Sequence, residues 1–242
     1  MNLENLTNHI KSKPDLDFGT IFSRSIDLFK KVWLQGFIIL LLTFVVILPF
    51  YILLYIPMIA MGITDPEALQ HNELPPMVAI AMAILFPVIA IGVTTFALAL
   101  NAAFLKMCRE KDLGKESGDD YFYYFKEGLI GKVFILALYT FGLSILGALA
   151  CGVGMFYVMV PVSLIPAFLA FSNDLSPLEM VKASFTLGNK NWLVIFGLVL
   201  VMSFVAQLGF FLCCVGVLFT AMLAKVPIYY MYKDGVGFDE LI

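Results

Sequence analysis

The chain has 242 residues, of which 61% are hydrophobic and 14% charged, and its mean hydropathy is +0.95. A soluble domain is about 45–50% apolar and about 25% charged, so this excess excludes a cytosolic enzyme, a nucleic-acid-binding domain and a disordered chain. The balance of 15 Lys and Arg against 18 Asp and Glu, net −3, offers no polybasic field to nucleic acid, and the length excludes a transporter of a dozen spans.

What remains is an all-α, polytopic membrane protein, read from its N-terminus as follows. Met1 to Lys13 is polar and lacks the apolar core of a signal peptide, so the first hydrophobic span is expected to act as its own insertion signal. From Asp17 to Trp33 the apolar residues Phe18, Phe22, Ile26, Phe29 and Trp33 recur every three to four positions, which is one helix face. This segment is expected to lie along the membrane surface with Phe18, Phe22, Ile26 and Phe29 buried.

Four stretches then carry no charge: Val32–Thr64, Leu74–Leu105, Val133–Asn173 and Asn191–Ala224. A helix needs about 20 apolar residues to cross the hydrocarbon core. The first two stretches each hold one span. The third holds two, broken at Cys151-Gly152-Val153-Gly154, and the fourth, continued to Tyr232, holds two more, broken at Cys213-Cys214-Val215-Gly216. Backbone in lipid must satisfy its own hydrogen bonds, so six helices are predicted at 33–59, 77–104, 131–150, 154–172, 192–212 and 215–232. The loop from Asp65 to Pro76, with Asp65, Glu67 and Glu73, is the largest polar segment predicted on its side.

All fifteen Lys and Arg fall before span one, after spans two and four, at the C-terminus or at the adjoining span ends. The positive-inside rule then puts both termini in the cytoplasm. The spans also repeat. A single membrane domain over 1–242 divides into three parallel units, 15–105, 118–172 and 176–233, each an amphipathic interfacial helix followed by a transmembrane hairpin. In the third unit Ser176, Pro177 and Glu179 form a capping box with proline at the first helical position. In the second, Tyr121 to Phe125 is a run of aromatics expected at the interface. The three entries into the membrane match as Lys31 and Trp33, Lys132 and Phe134, Lys190 and Trp192. These six residues are predicted interface anchors, because lysine snorkels to headgroups and tryptophan favours the interface. The two later hairpin tips match at an offset of 62, as Leu146-Gly147 through Gly154 against Leu208-Gly209 through Gly216.

The pattern Phe18-Gly19, Phe22, Phe29-Lys30-Lys31, Trp33, with Pro177-Leu178, Ser184-Phe185, Asn189, Asn191 and Trp192, resembles a group of bacterial six-span membrane proteins. It is similar to the membrane domain that accompanies some glycerophosphodiester phosphodiesterases. That resemblance implies a bacterial cytoplasmic-membrane helical protein and carries over no catalytic residue, since the soluble acidic and His-bearing domain of those enzymes has no counterpart in the sequence.

Few residues in the spans carry chemistry. No acid falls within them, and the two His, His9 and His71, lie outside. There is no G-x-S-x-G, no P-loop and no H-E-x-x-H, so no cofactor or metal is expected. Lys225 is the one ionisable residue with apolar sequence on both sides; it is a candidate ligand or lipid-phosphate contact, or else it snorkels. Asn101 and Gln207, with Gln35, either line a polar pocket or hydrogen-bond between helices. Pro49, Pro57, Pro87, Pro161, Pro166 and Pro227 fall in spans, where proline kinks helices or is simply tolerated. Cys151 and Cys213 match in position at two hairpin tips; free thiols are expected over a disulfide. The expected role is non-enzymatic: accessory, assembly or lipid-interacting, with the bilayer, lipids or other membrane proteins as partners. The alternative is a small-molecule or lipid transporter built on the kinked spans and Lys225.

Overall fold

The computed structural model describes residues 3–60, 76–115, 118–126, 128–150, 152–211 and 216–238. The loop residues 65–75 and Cys151, Cys213 and Cys214 lie outside them, so the expectations for that loop and for the cysteine tips rest on sequence alone. Among the described residues the fold is all-helical, without a strand. Nine α-helices follow in order: α1 Leu3–Ser12, α2 Phe18–Ala60, α3 Pro76–Asp112, α4 Ile130–Leu149, α5 Val153–Phe171, α6 Pro177–Lys190, α7 Trp192–Gln207, α8 Gly216–Thr220 and α9 Val226–Gly235. Short 3₁₀ segments occupy Tyr123–Phe125, Leu208–Phe211 and Ala221–Lys225.

Five stretches are long and apolar enough to cross a membrane: Phe18–Pro57, Ala79–Asp112, Ile130–Leu149, Val153–Phe171 and Trp192–Phe210. They overlap the first five predicted spans, although the first begins fifteen residues earlier and the second ends eight residues later than predicted. The sixth, 215–232, is not one α-helix but α8, a 3₁₀ segment and α9 in succession. Pro227 supplies the reason. It has no N–H to reach the carbonyl four residues back, and Val226 N–H bonds instead to Leu223, three residues back.

The interfacial segments also depart from the predicted pattern. In the first unit no helix of its own lies along a surface: Asp17 accepts the Thr20 N–H at 2.7 Å and α2 then runs unbroken into the span. Nothing between Ser23 and Leu34 stops a helix. In the second unit only the 3₁₀ turn Tyr123–Phe125 forms. In the third, α6 is a separate helix. Its capping box is present, with Ser176 N–H donating to Glu179 Oε2 at 2.8 Å, and it ends at Asn191, whose φ of −119° and ψ of 32° turn the chain into α7.

The buried face of α2 is rotated from the expected one. Ile21, Ser25, Leu28 and Val32 are buried, Phe22, Ile26 and Phe29 are half-buried, and Phe18 and Trp33 are exposed. The aromatic stripe flanks the core, with Phe22, Ile26 and Phe29 packed against its edge and Phe18 and Trp33 outside, while slimmer side chains let the helices approach. Inside, α3 contributes Ala99, Ala102, Ala103 and Phe104, and α5 contributes Leu164, Ile165, Ala167 and Phe168, all 0–1% exposed. Helix α9 is buried on every side through Ile228, Tyr229, Met231 and Tyr232, so it is an inner helix rather than a lipid-facing one.

Two glycine pairs close the hairpin tips. Gly152 turns the chain with φ +77°, and a Cβ on Gly154 would fall 2.9 Å from the Gly147 carbonyl oxygen. A Cβ on Gly209 would fall 2.8 Å from the Gly216 carbonyl oxygen. Only glycine permits these backbone approaches.

Candidate functional site

The polar chemistry gathers at the basic end of the bundle, where α2, α3, α5 and α9 meet. Asp112 closes α3 and accepts three bonds from α9: from Tyr229 at 2.7 Å, Tyr230 at 2.9 Å and Lys233 at 2.5 Å. On α2, Arg24 donates to both oxygens of Asp234 at 3.0 and 2.9 Å and lies 4.1 Å over the Tyr230 ring. Tyr232 and Ser172 share a bond at 2.7 Å, tying α9 to the end of α5. Inner helix α9 is therefore held at its C-terminal turn by both neighbouring charges and phenols.

Beside this network lies a cationic cleft of about 230 Å³ lined by Lys106, Arg109, Glu110, Leu113, Lys115 and Phe171, among others. Local structure explains it. Lys106, Arg109 and Glu110 stand at i, i+3 and i+4 on α3, which is one face. The helix then ends in a Schellman turn: Gly114 has φ +66°, Lys115 N–H bonds to Glu110 and Gly114 N–H to Lys111. The turn folds Lys115 back beside the same face. Arg109 stacks 4.3 Å over Phe238 and 5.9 Å from Phe171, and its Nε is buried without a partner. Lys106 Nζ sits 3.2 Å over the Tyr123 ring. Tyr121 adjoins this region and bonds to Asp119 at 3.4 Å; burial, then the Asp119 charge, pushes its phenol up to about 12.

The residues singled out in the sequence do not form one pocket. Lys225 is half-buried and has no hydrogen bond or ion pair among the described residues. Asn101 donates to the Ala97 carbonyl of its own helix at 2.7 Å, and its Oδ1 is buried and unpartnered. Gln207 is exposed at the end of α7, so it does not line an interior site. Gln35 is buried and donates to Asp119 at 3.1 Å, linking α2 to the aromatic segment.

Of the anchors, Lys31, Trp33 and Phe134 are exposed, Lys132 donates to the Asn173 carbonyl at 2.6 Å, and Trp192 stacks on Phe196 at 4.9 Å and donates to the Tyr157 carbonyl. Lys190 differs from its expected snorkelling role. Its ammonium donates to the carbonyls of Ile10, Lys11 and Lys13, capping the C-terminal end of α1.

Helix α1 itself escaped the sequence reading, which treated the segment as a polar tail. Leu6 and Ile10 are 0% exposed, and His9 Nε2 lies 2.9 Å from the Val236 carbonyl. The spacing of Leu3, Leu6 and Ile10 was the available signal. The Asp112 cluster gave none, since Tyr229, Tyr230 and Lys233 lie more than a hundred residues away.

Comparisons with protein-family models, with curated proteins and with solved structures return no match, so the functional argument rests on this chain's own geometry.

Proposed function

We propose that the chain is a non-enzymatic, lipid-interacting or assembly protein of a bacterial cytoplasmic membrane. It crosses six times as three parallel hairpins with both termini in the cytoplasm. Its likeness to the membrane domain accompanying some glycerophosphodiester phosphodiesterases belongs to the same proposal. The observation that carries the functional reading is the filled interior: α3, α5 and α9 meet through side chains that are essentially unexposed. A cleft of about 470 Å³ opens instead on the outer side of the α4–α5 hairpin, beside exposed Met155, Phe156 and Met159.

The topology has its own support. Helical backbone runs continuously from Gly216 to Gly235, and at 1.5 and 2.0 Å per residue its contour is roughly 32 Å, enough for a core about 30 Å thick. The glycine pairs 147/154 and 209/216 share both the offset of 62 and the close backbone approach, which favours the repeat in the last two units.

A second reading, a transporter, is favoured by one observation, the half-buried and unpartnered Lys225. Proteoliposome assays separate the two. The first reading expects vesicles no leakier to solutes than protein-free ones, with photo-crosslinks from Phe156 to lipid or to another membrane protein. Saturable solute uptake that Lys225→Met abolishes would replace it with the second. External labelling of a cysteine placed at Asn173 would overturn the topology.

A further inference from the structure

The cleft at the end of α3 has the makings of an anion site. It gathers Lys106, Arg109 and Lys115 against one acid, Glu110, an excess of two positive charges. Among the described residues no carboxylate pairs with any of the three cations. Asp120, which lines a neighbouring hollow with Lys106, is engaged by Lys126 at 2.5 Å. Three like charges held on one helix face and its folded-back turn repel one another, and an anion among them relieves that repulsion.

The holding is specific. Phe238 and Phe171 fix the guanidinium of Arg109 from its ring-facing side, and its buried Nε has no protein acceptor. A planar fork so fixed matches the oxygens of a phosphate. Tyr123 positions Lys106 from one side in the same way. The remaining wall is apolar: Ala170 and Phe171 belong to the end of a membrane-crossing helix, and Leu113 at the lip is 51% exposed. A volume of about 230 Å³ holds several waters at about 30 Å³ each, ample for a phosphate group.

We infer that the cleft formed by Lys106, Arg109 and Lys115 binds a phosphate-bearing anion, supplied by an anionic phospholipid headgroup or by a soluble phosphate ester. The inference rests on the proposed membrane setting only for the choice between those sources. Basic pockets between membrane helices on the cytoplasmic side are where such headgroups dock, and the apolar lip at Leu113 offers a path for the glycerol and acyl portion.

The test uses the full chain in zwitterionic detergent, titrated with short-chain phosphatidylglycerol, with phosphatidylcholine of the same chain length and with inorganic phosphate, and read by native mass spectrometry and intrinsic fluorescence. Arg109→Gln and Lys115→Gln are each expected to weaken phosphatidylglycerol binding roughly tenfold. Glu110→Gln, which removes the competing carboxylate, is expected to strengthen it. Lys30→Gln, an exposed lysine already paired to Asp27, is expected to leave it within about twofold. Since Arg109 also packs on aromatics, Lys115→Gln and Glu110→Gln keep the test open where Arg109→Gln misfolds.

Displacement of the lipid by inorganic phosphate identifies a site that takes soluble phosphates. Binding of phosphatidylglycerol that phosphate does not displace, with the same variant pattern, identifies the headgroup, and both results uphold the site. Equal binding in wild type, Lys115→Gln and Glu110→Gln, or an equal loss in Lys30→Gln, would overturn it. Micelles have no sides, so failure here is separate from failure of the topology.

Discussion

Replacing Asp112 by Asn keeps the volume of the side chain and removes its charge at the point where α3 holds α9. Three donors converge on this carboxylate, from Tyr229, Tyr230 and Lys233. Hydrogen bonds to a charged group are worth about 1.5–3 kcal/mol each, and removing one partner of a buried pair costs about 3–5 kcal/mol. The side chains of Asp112 and Lys233 retain 18% and 31% of their exposure, so water screens part of that cost. An asparagine also keeps one acceptor oxygen. The expected loss is therefore about 2–3 kcal/mol, below the fully buried figure. Equilibrium unfolding of the full chain in mixed micelles measures it, with Lys233→Met and the double variant completing a cycle. Asp27→Asn is the comparison: its pair with Lys30 is 72% and 69% exposed, and its loss should be far smaller than that of Asp112→Asn. A coupling between Asp112 and Lys233 below about 0.5 kcal/mol, or an equal loss from Asp27→Asn, would refute the claim that this network fastens the inner helix.

Three further outcomes are expected. Gly154→Ala places a Cβ 2.7 Å from the Ala150 Cβ and 2.9 Å from the Gly147 carbonyl oxygen; it should destabilise the chain by about 1–3 kcal/mol, whereas Gly142→Ala, with open space around it, should be neutral or mildly stabilising in the same unfolding assay. Lys190→Met removes the ammonium that caps α1, so trypsin should cleave after Lys11 faster than in the wild type while cleavage at Lys115 is unchanged (the Lys13–Pro14 bond resists trypsin in both); an unaltered N-terminal rate would mean that Leu6 and Ile10 hold α1 without it. Hydrogen bonds from Ser176 hold Glu179 below the ordinary carboxylate value of 4.5. Its contribution is thus complete above that value and is lost as pH falls through the lower folded one, so exchange protection of the Glu179 amide should be flat from pH 7 to 5, fall at more acid pH, and be weakened at every pH in Glu179→Gln.

What the sequence disclosed follows from the range of each interaction. The five long spans are legible because uninterrupted apolar length is a local property. So are the Ser176 capping box and the turn at Gly152, each set by residues within four positions. The unbroken α2 was legible in principle, since no glycine, proline or asparagine interrupts residues 23–34, whereas Gly188, Asn189 and Asn191 precede the break into α7. The apparent equivalence of Trp33 and Trp192 masked that difference. The face of α2 was not legible, because in lipid the larger apolar stripe need not be the inward one, and the slimmer Ile21, Ser25, Leu28 and Val32 took it. Least legible were the polar clusters. Asp112 and Tyr229 are 117 residues apart, and Arg24 and Asp234 are 210 apart. No periodicity encodes a meeting at that distance.

The two ends of the bundle are consequently held by different physics. At the basic end Arg24, Asp112, Lys190, Lys233 and Asp234 join helices through charge, with α1 laid over them. These groups are partly exposed, so water screens each bond and holds it below the value of a fully buried pair. At the hairpin tips Gly147 meets Gly154, and Gly209 meets Gly216, backbone against backbone. Between apolar helices in lipid no water release drives association, so close van der Waals approach is what holds such a tip together. A methyl group there meets the Ala150 or Thr220 side chain and, beyond either, a backbone carbonyl that cannot swing aside. The glycines therefore act through shape alone and carry none of the polar chemistry that marks the candidate site.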